Sequence, residues 1–192
     1  MKLPQLKKRD EIPVIALDMD GVLRDLSGAM CKLAVQVSAR RFPYHWSDVE
    51  TWAMGDDFDM LFGIVKNDYE WWLGLELLPG TLPIPFKVDC YITHSPVPDW
   101  VNKAWLKLNG LPDAEVIQVK LTPDKITVCQ QRGVTVLVDD KPETIRDAIH
   151  NGIAGLLFDA PYNQDENLPR IKSLAELRIL GDIQVARHKI YG

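Results

Sequence analysis

Asp18 and Asp20 close a short apolar run, Val14-Ile15-Ala16-Leu17, and open onto Gly21. Bounded by Pro13 on one side and by Asp and Gly on the other, the run is too short and too aperiodic for a helix and reads as a buried strand. Alternate side chains on an extended backbone point the same way. Both carboxylates are therefore aimed into one crevice at the strand's C-terminal edge, where open α/β sheets place their ligands. Like charges a few ångströms apart repel unless one takes a proton or a cation lies between them. The chemistry that suits such a pair is Mg²⁺-assisted phosphoryl transfer, with Asp18 attacking phosphorus and Asp20 handling the proton of the leaving oxygen. The plainer alternative is a solvated acidic turn, since Asp and Gly are common turn residues.

Further polar groups follow other apolar runs. Val88 to Ile92 reads as a second strand that delivers Thr93-His94-Ser95-Pro96. A hydroxyl and exposed backbone N–H groups at a strand end can hold a phosphoryl oxygen, so Thr93, His94 and Ser95 are carried as phosphate-binding candidates. Thr93 is the first choice, and Ser95 replaces it if the strand runs longer. His94 faces the other way on an extended chain, which suits packing or hydrogen bonding. Val134 to Val138, apolar apart from Thr135, reads as a continuous buried strand ending in Asp139-Asp140. Adjacent acids there need a compensating cation, and an oxygen-only site suits Mg²⁺. Asp140 is the preferred direct ligand, with Asp139 behind it or bonded to a lysine; the alternative is that Asp140 caps the helix starting at Lys141-Pro142. Lys120 and Lys125 both lie in range to offset the charge of nucleophile and phosphate.

The chain has 192 residues and a formal charge of -5, with ordinary apolar and charged fractions. That is enough for one α/β domain with an insertion, and too acidic for a surface that neutralises a nucleic-acid backbone. A small anionic substrate remains compatible with it. Cys31, Cys90 and Cys129 show neither an even count nor CxxC spacing, so reduced cytoplasmic thiols are expected, with no disulfide framework or zinc site. No signal peptide or membrane span is expected, and Met1 to Glu11 reads as a mobile lead-in.

Helices are expected over Ala29–Arg40, Phe58–Lys66, Pro98–Asn109, Pro142–His150 and Ser173–Leu180, with a capping box at Ser47 and Glu50 starting another at Asp48. Glu115–Val119 and Ile153–Phe158 are further strands, and 122–125 opens a short helical segment. Strands alternating with helices, each strand apolar without alternation, imply a parallel sheet covered on both faces. The stretch 29–78 breaks that rhythm and gathers Trp46, Trp52, Trp71 and Trp72. It is read as a small helical cap, leaving 1–28 and 79–192 as the core.

Asp18-Met19-Asp20-Gly21-Val22-Leu23 resembles the first motif of the haloacid dehalogenase (HAD) superfamily of phosphatases, and Thr93, Lys125 and Asp139-Asp140 follow in that superfamily's order. The resemblance implies a three-layer, Rossmann-like core with a cap inserted after the first strand. It also favours Lys125 over Lys120. It implies Mg²⁺ held by Asp18, Asp20 through its backbone carbonyl, and Asp140 with Asp139 nearby. Glu70-Trp71-Trp72-Leu73 leading to Leu78-Pro79-Gly80, together with Ile92-Thr93-His94-Ser95-Pro96, Asp124-Lys125 and Val138-Asp139-Asp140-Lys141-Pro142, is similar to the 5′(3′)-deoxyribonucleotidase family. That implies hydrolysis of nucleoside monophosphates, with Trp71 and Trp72 near the base. His94 between Thr93 and Ser95, and Lys141 where an Arg is expected, depart from the pattern. Another small phosphometabolite such as a sugar phosphate, or a silent binding module of the same fold, are the competing readings. The expected partner is a small phosphomonoester, with no nucleic-acid polymer or membrane and with a homodimer left open.

Overall fold

The computed structural model describes residues 12–39, 43, 45–50 and 57–191. The 1–11 lead-in, Arg40 and the 51–56 stretch with Trp52 fall outside them. Six strands, β1 (Ile15–Leu17), β2 (Cys90–Thr93), β3 (Glu115–Gln118), β4 (Val136–Asp139), β5 (Ala154–Phe158) and β6 (Arg170–Ile171), pair in the order β3-β2-β1-β4-β5-β6. Every pairing is parallel. The apolar runs explain this. Ile15, Leu17, Tyr91, Val136 and Val138 bury into one cluster, while the intervening Ala16, Cys90, Ile92 and Leu137 bury into another. A strand that is apolar on both faces needs helices on both.

Helices α4 (Asp99–Leu108) and α7 (Arg178–Tyr191) cover the first face through Trp105, Leu106 and Leu180. Helices α5 (Asp124–Gln131) and α6 (Pro142–His150) cover the second through Ile126, Cys129 and Ala148. The result is the expected Rossmann-like α/β/α arrangement. Cys31, Cys90 and Cys129 are unpaired and buried, and among the described residues no helix is long and apolar enough to cross a membrane.

Between β1 and β2 lie α1 (Leu26–Gln36), α2 (Phe58–Val65) and α3 (Tyr69–Leu73). Met30, Leu33 and Ala34 of α1 pack on Leu61 and Val65 of α2 in a cluster separate from the two sheet faces.

Several boundaries differ from the sequence reading. Helix α1 starts three residues earlier, because Asp25 is its N-cap and accepts from the Gly28 amide at 2.8 Å. It stops at Gln36, well before Pro43, where the chain turns through Ser38 at φ 55. No helix starts at Asp48: Trp46–Asp48 is a single 3₁₀ turn, Val49 is extended, and the Ser47 hydroxyl is spent on the neighbouring Asp48 carboxylate at 3.1 Å. At the C-terminal end Ser173 and Glu176 do form a capping box, on a 3₁₀ turn Leu174–Leu177. That turn runs straight into α7, so the last helix continues past Leu180 to Tyr191. Gly181 is no stop. A Cβ there would lie 1.9 Å from the Pro85 carbonyl oxygen, so glycine lets α7 lie against the chain entering β2.

Candidate active site

β1 ends at the point where the sheet order reverses, between β2 on one side and β4 on the other. The Asp18 amide still donates to Val138 O at 2.9 Å, so Asp18 and Asp139 leave the sheet side by side. A tight turn follows, in which the Leu23 and Arg24 amides both donate to Met19 O at 2.9 Å. Gly21 occupies that turn at φ +87, and a Cβ on it would fall 2.2 Å from Asp140 Oδ2. Only glycine gives both the positive φ and the room. Gly21→Ala is therefore expected to cost about 1–3 kcal/mol of stability, read as a lowered melting temperature.

Lys125, buried at the start of α5, places its ammonium 2.9 Å from Asp18 Oδ1 and 2.7 Å from Asp139 Oδ2. Asp139 also accepts from the Lys141 amide at 2.8 Å. Asp140 takes a hydrogen bond from the Tyr162 hydroxyl on Oδ2, while Asn163 Nδ2 donates to its carbonyl at 2.9 Å. The residue at the start of α6 is Lys141, which makes no side-chain cap, so Asp140 does not serve as the helix cap. Asp18, Asp139 and Asp140 bring one oxygen each within 4.8 Å of one another. Three buried carboxylates against one ammonium leave the cluster anionic. Burial pushes Asp18 up to about 7, against the pull of Lys125 and with the push of Asp139. Burial, then the Asp139 and Asp18 charges, also raise Asp140. Burial by itself would depress Lys125, but Asp139 and Asp18 more than reverse this and keep it an ammonium. A hard divalent cation among oxygen donors fits this set and removes its excess charge.

Asp20 stands apart from that cluster. Its two oxygens accept from Arg24 Nε at 2.7 Å and Nη2 at 3.0 Å. Thr93 ends β2 fully buried, and its hydroxyl has no hydrogen-bond partner among the described residues. An unpaired buried hydroxyl at a site edge is what an incoming oxygen would satisfy. Ser95 is buried, 3.4 Å from Arg24 Nη2, and His94 between them is exposed.

The tryptophan pair divides. Trp72 is fully buried, donates from Nε1 to Val65 O at 2.9 Å and packs with Leu75, Val97 and Val101, so it is core and offers no face to a ligand. Trp71 is half-buried and lines a small cavity of about 290 Å³ beside Asp25 and Lys32.

Arg24, Asn102, Tyr162 and Asn163 were not anticipated from the sequence. Their signals are weak. Arg24 is four residues from Asp20 within one turn, and Pro161-Tyr162-Asn163 follows β5, the neighbour of β4.

No protein-family model matches the sequence, and no curated protein does. Solved structures do match in fold. A HAD family hydrolase from Deinococcus radiodurans R1, with bound phosphate and sodium, aligns over 90% of this chain and 97% of its own at 15% identity and a TM-score of 0.58. The chain has a HAD-like α/β fold. A HAD-superfamily hydrolase of subfamily IA, variant 1, from Geobacter sulfurreducens PCA covers 88% of this HAD-fold chain and 100% of its own, at 16% identity and a TM-score of 0.57. A phosphonoacetaldehyde hydrolase-like protein from Oleispira antarctica covers 98% and 96%, at 12% identity and a TM-score of 0.52.

Proposed function

We propose that this HAD-fold chain is a Mg²⁺-dependent phosphomonoesterase that hydrolyses 5′-(deoxy)nucleoside monophosphates through an aspartyl-phosphate on Asp18. The observation that carries the reading is Asp18 itself, a buried carboxylate at the sheet switch point, 2.9 Å from a buried ammonium and beside Asp139 and Asp140. Such an oxygen is a competent nucleophile once its charge is balanced. Asp18 and Asp140 would hold Mg²⁺, with Asp139 and Lys125 behind them, and the ion would neutralise the phosphoryl oxygens.

The chain's own groups do the rest. Asp18 attacks phosphorus in line. Asp20 in its protonated form gives that proton to the leaving ribose oxygen, and the carboxylate so formed takes one back from the water that cleaves the aspartyl-phosphate. The Thr93 hydroxyl holds a phosphoryl oxygen, and Lys125 keeps the Asp18 oxygen oriented and offsets its charge. We take 29–78 as the cap over this site.

Room for the leaving group exists beside Ser95. A cavity of about 560 Å³ lies at the ends of β2 and β3, walled by Phe62, His94, Pro96, Gln118, Val119 and Lys120. That volume falls in the ordinary range for small-molecule sites. The Phe62 ring favours a flat base. The polar wall of His94, Gln118 and Lys120 supports, as second reading, the hydroxyls of a sugar phosphate. The phosphate bound in the Deinococcus radiodurans neighbour agrees with either.

Phosphate release tests the proposal. With Mg²⁺ the protein is expected to hydrolyse 4-nitrophenyl phosphate and, faster, nucleoside 5′-monophosphates. EDTA should remove both activities, and excess Mg²⁺ should restore them. A faster rate on sugar phosphates selects the second reading, and no release from any ester leaves a binding module of the same fold.

A further inference from the structure

We infer that Arg24 is the positioning residue of Asp20, a caged cation that fixes the direction of the carboxylate serving the leaving oxygen. The inference rests on the phosphomonoesterase reading and adds to it a residue outside the acidic cluster.

The pair is unequally buried. The Arg24 side chain is 0% exposed and the Asp20 side chain 17%, so the cation lies inside and the anion forms the open end. Two N–H groups of one rigid guanidinium meet the two carboxylate oxygens, at 2.7 and 3.0 Å, which fixes the plane of the carboxylate as well as its position and leaves the second lone pair of each oxygen to carry the proton that is transferred. The guanidinium is itself held on every side. Nη1 donates to Asn102 Oδ1 at 3.1 Å on α4, and Nη2 lies 3.4 Å from Ser95 Oγ in the loop after β2. The rings of Trp72 and Trp105 lie 5.0 and 5.3 Å from its central carbon. Each indole is fixed by its own N–H, to Val65 O at 2.9 Å and Leu75 O at 2.8 Å. The backbone completes the frame, because the turn from Met19 to Arg24 fixes the spacing of the two residues.

Stability does not account for this arrangement. An apolar side chain between two indoles packs well without desolvating a charge, and replacing a buried ion pair in that way is commonly neutral or favourable. What an apolar residue cannot do is aim a carboxylate. An acid at the end of a turn has two free torsions, and a proton donor has to be held within roughly 10–20° of its line. Lysine would not serve either, since a point charge cannot grip two oxygens at once.

The test compares leaving groups. An alkoxide such as a ribose oxygen needs a proton to depart, whereas 4-nitrophenolate leaves with little help. In Arg24→Lys, kcat/KM for a nucleoside 5′-monophosphate is expected to fall about 10²- to 10³-fold, the scale of a misplaced general acid. For 4-nitrophenyl phosphate the fall should be at least about ten times smaller. In an Asp20→Asn background the same change should add almost nothing, because the group being aimed is gone. Asn102→Ala, which loosens Arg24 without removing it, should show a milder form of the same bias and carries the test if Arg24→Lys does not fold. Equal losses on both esters, or full additivity with Asp20→Asn, overturn the inference and leave the phosphomonoesterase intact. A wild-type protein inactive on both esters overturns the two together.

Discussion

Asp18→Asn is expected to lower phosphate release by more than about 10⁴-fold while leaving a folded protein that is at least as stable as the wild type above pH 7. The rate loss is the scale seen when a covalent nucleophile is removed, since an amide oxygen cannot form the aspartyl-phosphate. The stability follows from the sign of the Asp18 shift. Burial lifts this carboxyl from its ordinary value of 3.8 to about 7. Protonation in the folded state therefore contributes stability that is fully present below 3.8 and is lost as pH rises through about 7. Above that pH the wild type keeps a buried anion next to Asp139 and Asp140, whereas the asparagine variant keeps a neutral group that still accepts from Lys125. In EDTA at pH 8 the variant should melt at or above the wild type, and the difference should shrink or reverse by pH 5. Mg²⁺ should raise the wild-type melting temperature at pH 8 more than that of the variant, because one ligand has lost its charge. A variant that is inactive because it is unfolded fails the melt, and a variant that still turns over removes Asp18 as nucleophile.

The groups on which that prediction stands were legible in the sequence because strand ends are local. Apolar runs at 14–17 and 134–138 fix where Asp18 and Asp139-Asp140 emerge, and helices between the strands force a parallel sheet that brings those ends to one edge. What closes the site was not legible, because it is made by contacts between distant positions. Asn102 reaches Arg24 across 78 residues, and Tyr162 reaches Asp140 across 22. Neither carries a local pattern. Strand β6 is two residues long, too short for any periodicity to mark it. The tryptophan pair shows the same limit from another side. Adjacent residues on a helix face different ways, and only the tertiary contacts of Trp72 with Val97 and Val101 decide that it is the one turned inward. The spacing of Asp18 and Asp20 called for a proton or a cation to offset their repulsion, and it gave no sign of the cation that the Asp20 side chain holds, Arg24, supplied four residues later by the same turn.

Lys125→Met is expected to be the more damaging change for the fold, and its damage should vary with pH far more than that of a surface ion pair. Met matches the length of the stem and removes only the ammonium that Asp18 and Asp139 share at 2.9 and 2.7 Å. Removing one partner of a buried ionic cluster typically costs about 3–5 kcal/mol, which in a chain of this size lowers the melting temperature by roughly 10 °C. Lys125 is also what pulls the Asp18 carboxyl down against its burial. Without it that carboxyl rises further, so the protonated, tolerated form persists to higher pH. The stability deficit should therefore be largest near pH 8 and shrink as the pH is lowered and the carboxylates take up protons, whereas the deficit from breaking an exposed pair stays small throughout. A divalent cation should restore part of the melting temperature, since it supplies the missing positive charge among the same oxygens. Turnover should not return with it: an ion at the carboxylates does not replace an ammonium fixed against the nucleophile, and a loss of about 10²–10³ in kcat is expected to persist at saturating Mg²⁺. Melts from pH 5 to 8 with and without Mg²⁺, beside kcat at saturating metal, separate these effects. A deficit that does not change with pH would mean that Lys125 packs in the core without balancing the acidic cluster, and the electrostatic account of the site would fall with it.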